Sequence, residues 1–239
     1  MKSEKWKSTC RYAIGTVVLA ITLMFVFPTQ TFLGLGGLLL WVLSLILISV
    51  SCIAIGYCIM GSKFGLILDG RKKFSLSRLQ TVLWTIVIIS GLLAAVVLNI
   101  AIGGNSPLNI TIPSDLWFLM GITTASLVIS PIIKNEKQNY NQLNKNINIT
   151  EALISDLFKG EEEVNKERLD LGKVQMFFLT LIIVLSYAIL IAHKLSSGKF
   201  VDEFPPISPG MVTLLGISNA GYLAYKAAPH ITPSQPKLP

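Results

Sequence analysis

The polar side chains that could act inside this chain come in matched sets. Gln80 and Thr85 recur as Gln175 and Thr180, and Thr123 with Thr124 recurs as Ser218 with Asn219, each match ninety-five residues apart. Amides and hydroxyls within apolar helices can bond from helix to helix, at about 1 kcal/mol each, or can line a path for water. Both readings of Gln80, Thr85, Gln175 and Thr180 stay open, and Thr123, Thr124, Ser218 and Asn219 are the candidates for a pore lining. Catalytic chemistry is not offered. No Asp, Glu, Lys or Arg falls deep inside an apolar run, where such charges mark proton relays and ion paths. His193 and His230 have no second ligand at metal spacing, and a Ser/His/Asp set, a phosphate-binding loop and a CxxC pair are missing. The expectation is a non-enzymatic protein without metal or cofactor.

These residues need helices to position them, and the same register supplies the helices. Leu76 to Ala125 returns as Leu171 to Ala220 through two apolar runs and the loop between them, the signature of a duplicated helical hairpin. Gly121 and Ala125 recur as Gly216 and Ala220. Small residues four apart let two backbones approach closely, so these four are expected to pack the fourth span on the sixth. Arg78 and Lys173 stand at the start of each copy and are expected to snorkel to headgroups.

With mean hydropathy +0.63 and 14% charged residues, the 239-residue chain is too apolar for an ordinary water-soluble domain. Six apolar runs, Tyr12 to Phe27, Phe32 to Met60, Leu79 to Ile102, Leu116 to Ile133, Val174 to Ala192 and Met211 to Ala228, approach or exceed the roughly 20 residues that cross a bilayer. The fold class is therefore all-α: an integral membrane protein with a hairpin over 1–60, a first two-helix repeat over 61–133, a loop over 134–165 and a second repeat with its tail over 166–239. Of twenty Lys and Arg residues, only Lys194 and Lys199 fall outside the loops and ends of one side. That asymmetry places both termini in the cytoplasm. It also accounts for the net charge of +7 through loop bias and anionic headgroups, without nucleic acid. Because each copy holds two spans, the copies enter in the same sense, which speaks against the inverted repeats common in transporters.

Between the copies, Thr150 can cap a short helix with an apolar stripe at Leu153, Ile154, Leu157 and Phe158, followed by Glu161, Glu162 and Glu163. Leu153, Leu157, Phe158 and the three glutamates are the expected docking residues for a cytoplasmic protein partner. The run from Asp156 to Glu162, the run from Leu169 to Phe178 and the run from Leu215 to Leu223, with Phe74 to Gln80 as an echo, resemble a group of bacterial multi-pass membrane proteins of unassigned function. The resemblance covers about the last hundred residues. It implies a bacterial inner-membrane protein and carries over no catalytic residue. Two functions are expected: an anchor or scaffold presenting the 134–172 loop to a partner, or a self-associating channel lined by the fourth and sixth spans.

Overall fold

The computed structural model describes residues 29–103, 105–139, 152–160 and 168–228, and within 15–22 the helical residues Gly15, 18–20 and Thr22. The first expected span lies mostly outside the described residues. Those described form five long helices: α1 (Thr29–Met60), α2 (Leu76–Ile102), α3 (Ser114–Asn139), α4 (Leu171–Ser196) and α5 (Pro209–Ala227). Among them there is no strand, only three isolated bridges. Four stretches, Gly36–Met60, Leu76–Ile102, Ser114–Ile133 and Leu171–Ser196, are long and apolar enough to cross a membrane. The 19 residues of α5, which include Ser218, Asn219 and Lys226, are not among the four.

The distribution of side chains suits a bilayer. On α1 the outward face is apolar (Leu38, Leu39, Val42, Leu43, Ile46, Val50), whereas Gly37, Leu40, Trp41, Ser44 and Ser51 turn inward. The buried hydroxyls of Ser44 and Ser51 bond back to the carbonyls of Leu40 and Leu47 at 2.9 and 2.6 Å. A polar atom in an apolar medium needs such a partner, and the preceding helical turn supplies it.

α2 is the central helix, packed on α1, α3 and α4, while α3 and α4 each pack on α5. The main core joins Trp84, Val87, Ile88, Leu119, Ile183, Tyr187, Ile191 and Leu215. Trp84 and Tyr187 meet with ring centroids 5.8 Å apart. Successive helices reverse direction, so the molecule has two unlike ends. Among the described residues, one holds Lys63, Arg71, Lys72, Lys73, Arg78, Lys159, Arg168, Lys173 and Lys226, and the other only Lys194 and Lys199.

Glycine sets the tightest crossings, though not where the repeat predicts. A Cβ on Gly37 would overlap the Leu195 carbonyl, and one on Gly65 the Gly56 carbonyl. Gly36, at φ 74° and ψ 145°, interrupts α1 with a conformation that side-chain-bearing residues resist. Gly121, by contrast, is exposed and a Cβ there would meet nothing within 4 Å. Gly216 would make an ordinary 3.4 Å contact with Ile122 Cδ1. Ala125 and Ala220 are exposed as well. The expected pairing of α3 with α5 is present, but other side chains mark it: Leu119 and Leu215 share the main core, and Lys226 donates to Ser130, while Thr123, Ser218, Asn219 and Tyr222 are buried. Gly121, Ala125 and Ala220 are rotated away, and Gly216 stays beside Ile122 at the edge of the contact, because burying these polar groups takes the inward positions.

Cys52 is a free thiol, whereas Cys58 is disulfide-bonded.

Candidate functional site

At the basic end, each long hairpin is entered through the same local device. Before α2, a one-turn 3-10 helix (Gly65–Ile67) leads to a bridge between Leu68 and Phe74, and Ser75 N–H donates to the Ile67 carbonyl at 2.9 Å. Before α4, a 3-10 turn (Ile154–Leu157) leads to a bridge between Lys159 and Leu169, and Asp170 N–H donates to the Phe158 carbonyl at 2.8 Å. Phe74 and Leu169 are ninety-five residues apart, as are Ser75 and Asp170 and the first residues of α2 and α4 and of α3 and α5. The first turn is closed by Asp69, whose Oδ1 accepts from Arg71 N–H (2.9 Å) and Lys73 N–H (3.1 Å) while Oδ2 takes the Arg71 guanidinium at 2.8 Å. Lys73 then reaches Asp156 at 3.9 Å, joining the two devices.

Between them lies a groove of about 700 Å³, lined by Phe64, Ile67, Leu68, Phe74, Ile154 and Leu157 among others, with Arg71 and Lys72 also on its wall. The expected docking residues divide here. Leu157 is buried in a small core with Leu76, Met176 and Tyr222, and Phe158 packs on Phe177 at 5.1 Å. They hold the segment to its own chain, and Leu157 also borders the groove. The predicted helix over this segment is, within the described residues, a single 3-10 turn. Leu153 and its neighbour Ile154 remain exposed, at 55% and 72%. Glu161, Glu162 and Glu163 lie outside the described residues.

Lys173 does not snorkel. It is 3% exposed, and its ammonium donates to the Lys159 carbonyl at 2.7 Å. Lys226 is likewise buried, donating to Ser130 Oγ and, at 3.1 Å, to Tyr222 OH. These two lysines fasten the basic end from within.

The repeated polar positions are not equivalent. Gln80 is fully buried and neither atom of its amide has a hydrogen-bond partner among the described residues, while Gln175 is exposed. Thr85 is exposed and bonds to the Thr81 carbonyl, while Thr180 is buried with its hydroxyl unpaired. Both helices have three helical neighbours, α1, α3 and α4 around α2 and α1, α2 and α5 around α4, but they turn different faces to them, so each copy buries a different member of the repeated pair. Of the pore candidates, Thr123 is buried and bonds to the Met120 carbonyl at 2.9 Å, and Asn219 donates to the Leu215 carbonyl at 2.9 Å. Ser218 is buried with its hydroxyl unpaired, and Thr124 faces outward. The four therefore do not share one surface within the chain.

At the opposite end, Asn99 holds a position that an amide so near the end of an apolar run could have signalled. It is fully buried; its Nδ2 donates to the Val201 carbonyl at 2.8 Å and to the Pro107 carbonyl at 3.2 Å, and its Oδ1 accepts from Val201 N–H at 2.7 Å. Thr111 N–H donates to the Asp202 carbonyl and Phe204 N–H to the Thr111 carbonyl, so the two loops are stitched together. The counterpart of Asn99 is Lys194, which faces Asp202 at 3.5 Å. Among the described residues no group of three His, Cys, Asp or Glu is placed to hold a metal ion. No protein-family model, curated protein or solved structure matches the chain.

Proposed function

We propose that the chain is a six-span protein of the bacterial inner membrane, built from an N-terminal hairpin and two parallel copies of a two-helix unit, with both termini cytoplasmic. Its basic end then forms a cytoplasmic platform, and the protein acts as a non-enzymatic anchor that holds a soluble partner at the membrane. The observation that carries this reading is the pair of entry devices locked by Lys73 and Asp156, which leaves Leu153 and Ile154 exposed beside an apolar groove edged by Arg71 and Lys72. A rigid apolar patch with a cationic border suits an amphipathic segment bearing acidic residues. Crosslinking in native membranes, comparing wild type with Ile154→Asp, tests it: a specific partner should be lost with the substitution. Identical crosslinked species in both would end the anchor reading.

The orientation rests on eighteen basic residues against two. A disulfide at Cys58 would sit at the basic end, in a compartment that keeps thiols reduced, so alkylation of Cys58 in intact cells is a direct check.

A channel formed by several copies is the second reading. It is favoured by the unpaired buried polar atoms of Gln80, Thr180 and Ser218, which water could satisfy. Ion flux through liposomes holding the purified protein is the measurement, and silent vesicles with folded protein would dismiss it.

A further inference from the structure

The two copies differ at one place in a way that opens a site. In the first copy, Ser77 Oγ and Ser126 Oγ lie 3.1 Å apart across α2 and α3, and both side chains are buried together with Gln80 and Thr123. Ninety-five residues on, both serines are replaced by glycine, Gly172 and Gly221. The seam does not close there. A cleft of about 440 Å³ stands between α4 and α5, walled by Asp170, Gln175, Ser218, Tyr222 and Tyr225 with the two glycines. A Cβ on Gly221 would meet nothing within 4 Å.

The lining points to a ligand. Gln175 and Tyr225 border the cleft with exposed side chains, whereas Ser218 and Tyr222 in its wall are 5% and 1% exposed. Asp170 is the one charged residue in the lining, and its Oδ1 also caps α4 by accepting from Lys173 N–H at 3.2 Å. A site whose single charge is negative disfavours an anionic group inside it. It favours a cation, and the exposed ring of Tyr225 favours one of organic type, the ring of Tyr222 being already taken by Lys226 Nζ at 5.3 Å. The carboxylate and amide oxygens provide acceptors for the protons of a primary ammonium. Leu169, Leu171 and Ile217, also in the lining, are 62%, 73% and 63% exposed, so the mouth opens between apolar side chains where acyl chains would lie.

We propose that this cleft binds the primary ammonium of a bilayer phospholipid headgroup, with Asp170 as counter-ion, Gln175 as a further acceptor and the lipid's phosphate outside at the mouth. The proposal rests on the membrane placement above but not on the anchoring of a partner, since the Ile154 patch is separate from it. Native mass spectrometry of the full chain in detergent, loaded with phosphatidylethanolamine or phosphatidylglycerol of identical acyl chains, tests it. Wild type should retain the ethanolamine lipid in preference. Asp170→Asn, which keeps an N-capping side chain, and Gly221→Leu, which fills the cleft, should each reduce that preference about tenfold, the effect of losing one ionic hydrogen bond. Melting temperatures of both variants verify that they fold, and either one alone suffices for the comparison. Equal retention of the two lipids by wild type would overturn the proposal, as would a preference unchanged in a folded variant. Displacement of the lipid by free ethanolamine at equal affinity would also overturn it, making the site one for a soluble amine.

Discussion

Asn99 shows how much one amide can hold. Replacing it with leucine would leave the Val201 N–H and carbonyl without their partner in a buried place, and each unsatisfied group costs about 1 to 3 kcal/mol. Asn99→Leu should therefore lower the melting temperature in detergent well below that of wild type, more than Thr85→Val at an exposed position. The glycines give a second contrast. Gly37→Ala would press a methyl group against the Leu195 carbonyl, and overpacking of this kind costs about 1 to 3 kcal/mol. Gly121→Leu should change little, because that position is open. Calorimetry or a thiol-reactive dye assay on the two variants checks the order, and equal shifts would refute it. Asp202 supplies a pH marker. Its own backbone amide, and then the Lys194 ammonium, hold its carboxyl below the usual range. A depressed folded-state value means that the interaction is present above the unfolded value and is lost as pH falls through the folded one. Lys194→Met should raise the Asp202 midpoint measured by NMR, while overall stability moves little because the pair is exposed.

At the level of elements, the ninety-five-residue register read from the sequence anticipates where helices begin: α2 and α4, and likewise α3 and α5, start one period apart. Ser208 as a cap with Pro209 in the first turn of α5 is equally plain in the residues, and Ser208 Oγ accepts from Met211 N–H at 3.3 Å. Helix rotation was not legible. A small-xxx-small spacing names a face that could pack, but Thr123, Ser126, Ser218 and Asn219 compete for the same interior, and polar groups lose more by facing lipid than glycine does by leaving the interface. The entry devices are not legible in the residues because their hydrogen bonds are between backbone atoms and leave little trace in residue type. The exception is Asp69-Gly70, a turn signal that the structure uses through Asp69. Asp69→Ala should unfasten the 68–74 turn, and trypsin should then cut at Arg71 to Lys73 faster than in wild type. Unchanged digestion would mean that the Leu68 to Phe74 bridge holds without the carboxylate.

For the whole molecule, the separation of charge into two unlike ends is the feature that sequence and structure share most directly. Reporter fusions check the membrane orientation proposed from it: fusions after Pro239 should be active in the cytoplasm, and fusions between Gly103 and Pro107 should be active only on export. Reversed activities would invert the molecule. The environments of Gln80 and Gln175 could not be foreseen, since a repeat fixes spacing but not which face each copy turns to its neighbours. The clamp at Asn99 also has a meaning in time. Its partner Val201 is 102 residues further along the chain, so a ribosome emitting this protein completes the first hairpin long before anything can satisfy that amide. Until the second hairpin arrives, the first is an unfinished surface with exposed bonding groups at its end. Synthesis order thus makes the last third of the chain the step that seals the first, and a product truncated after Ile133 should be recognised and degraded by membrane quality control, whereas the full chain persists.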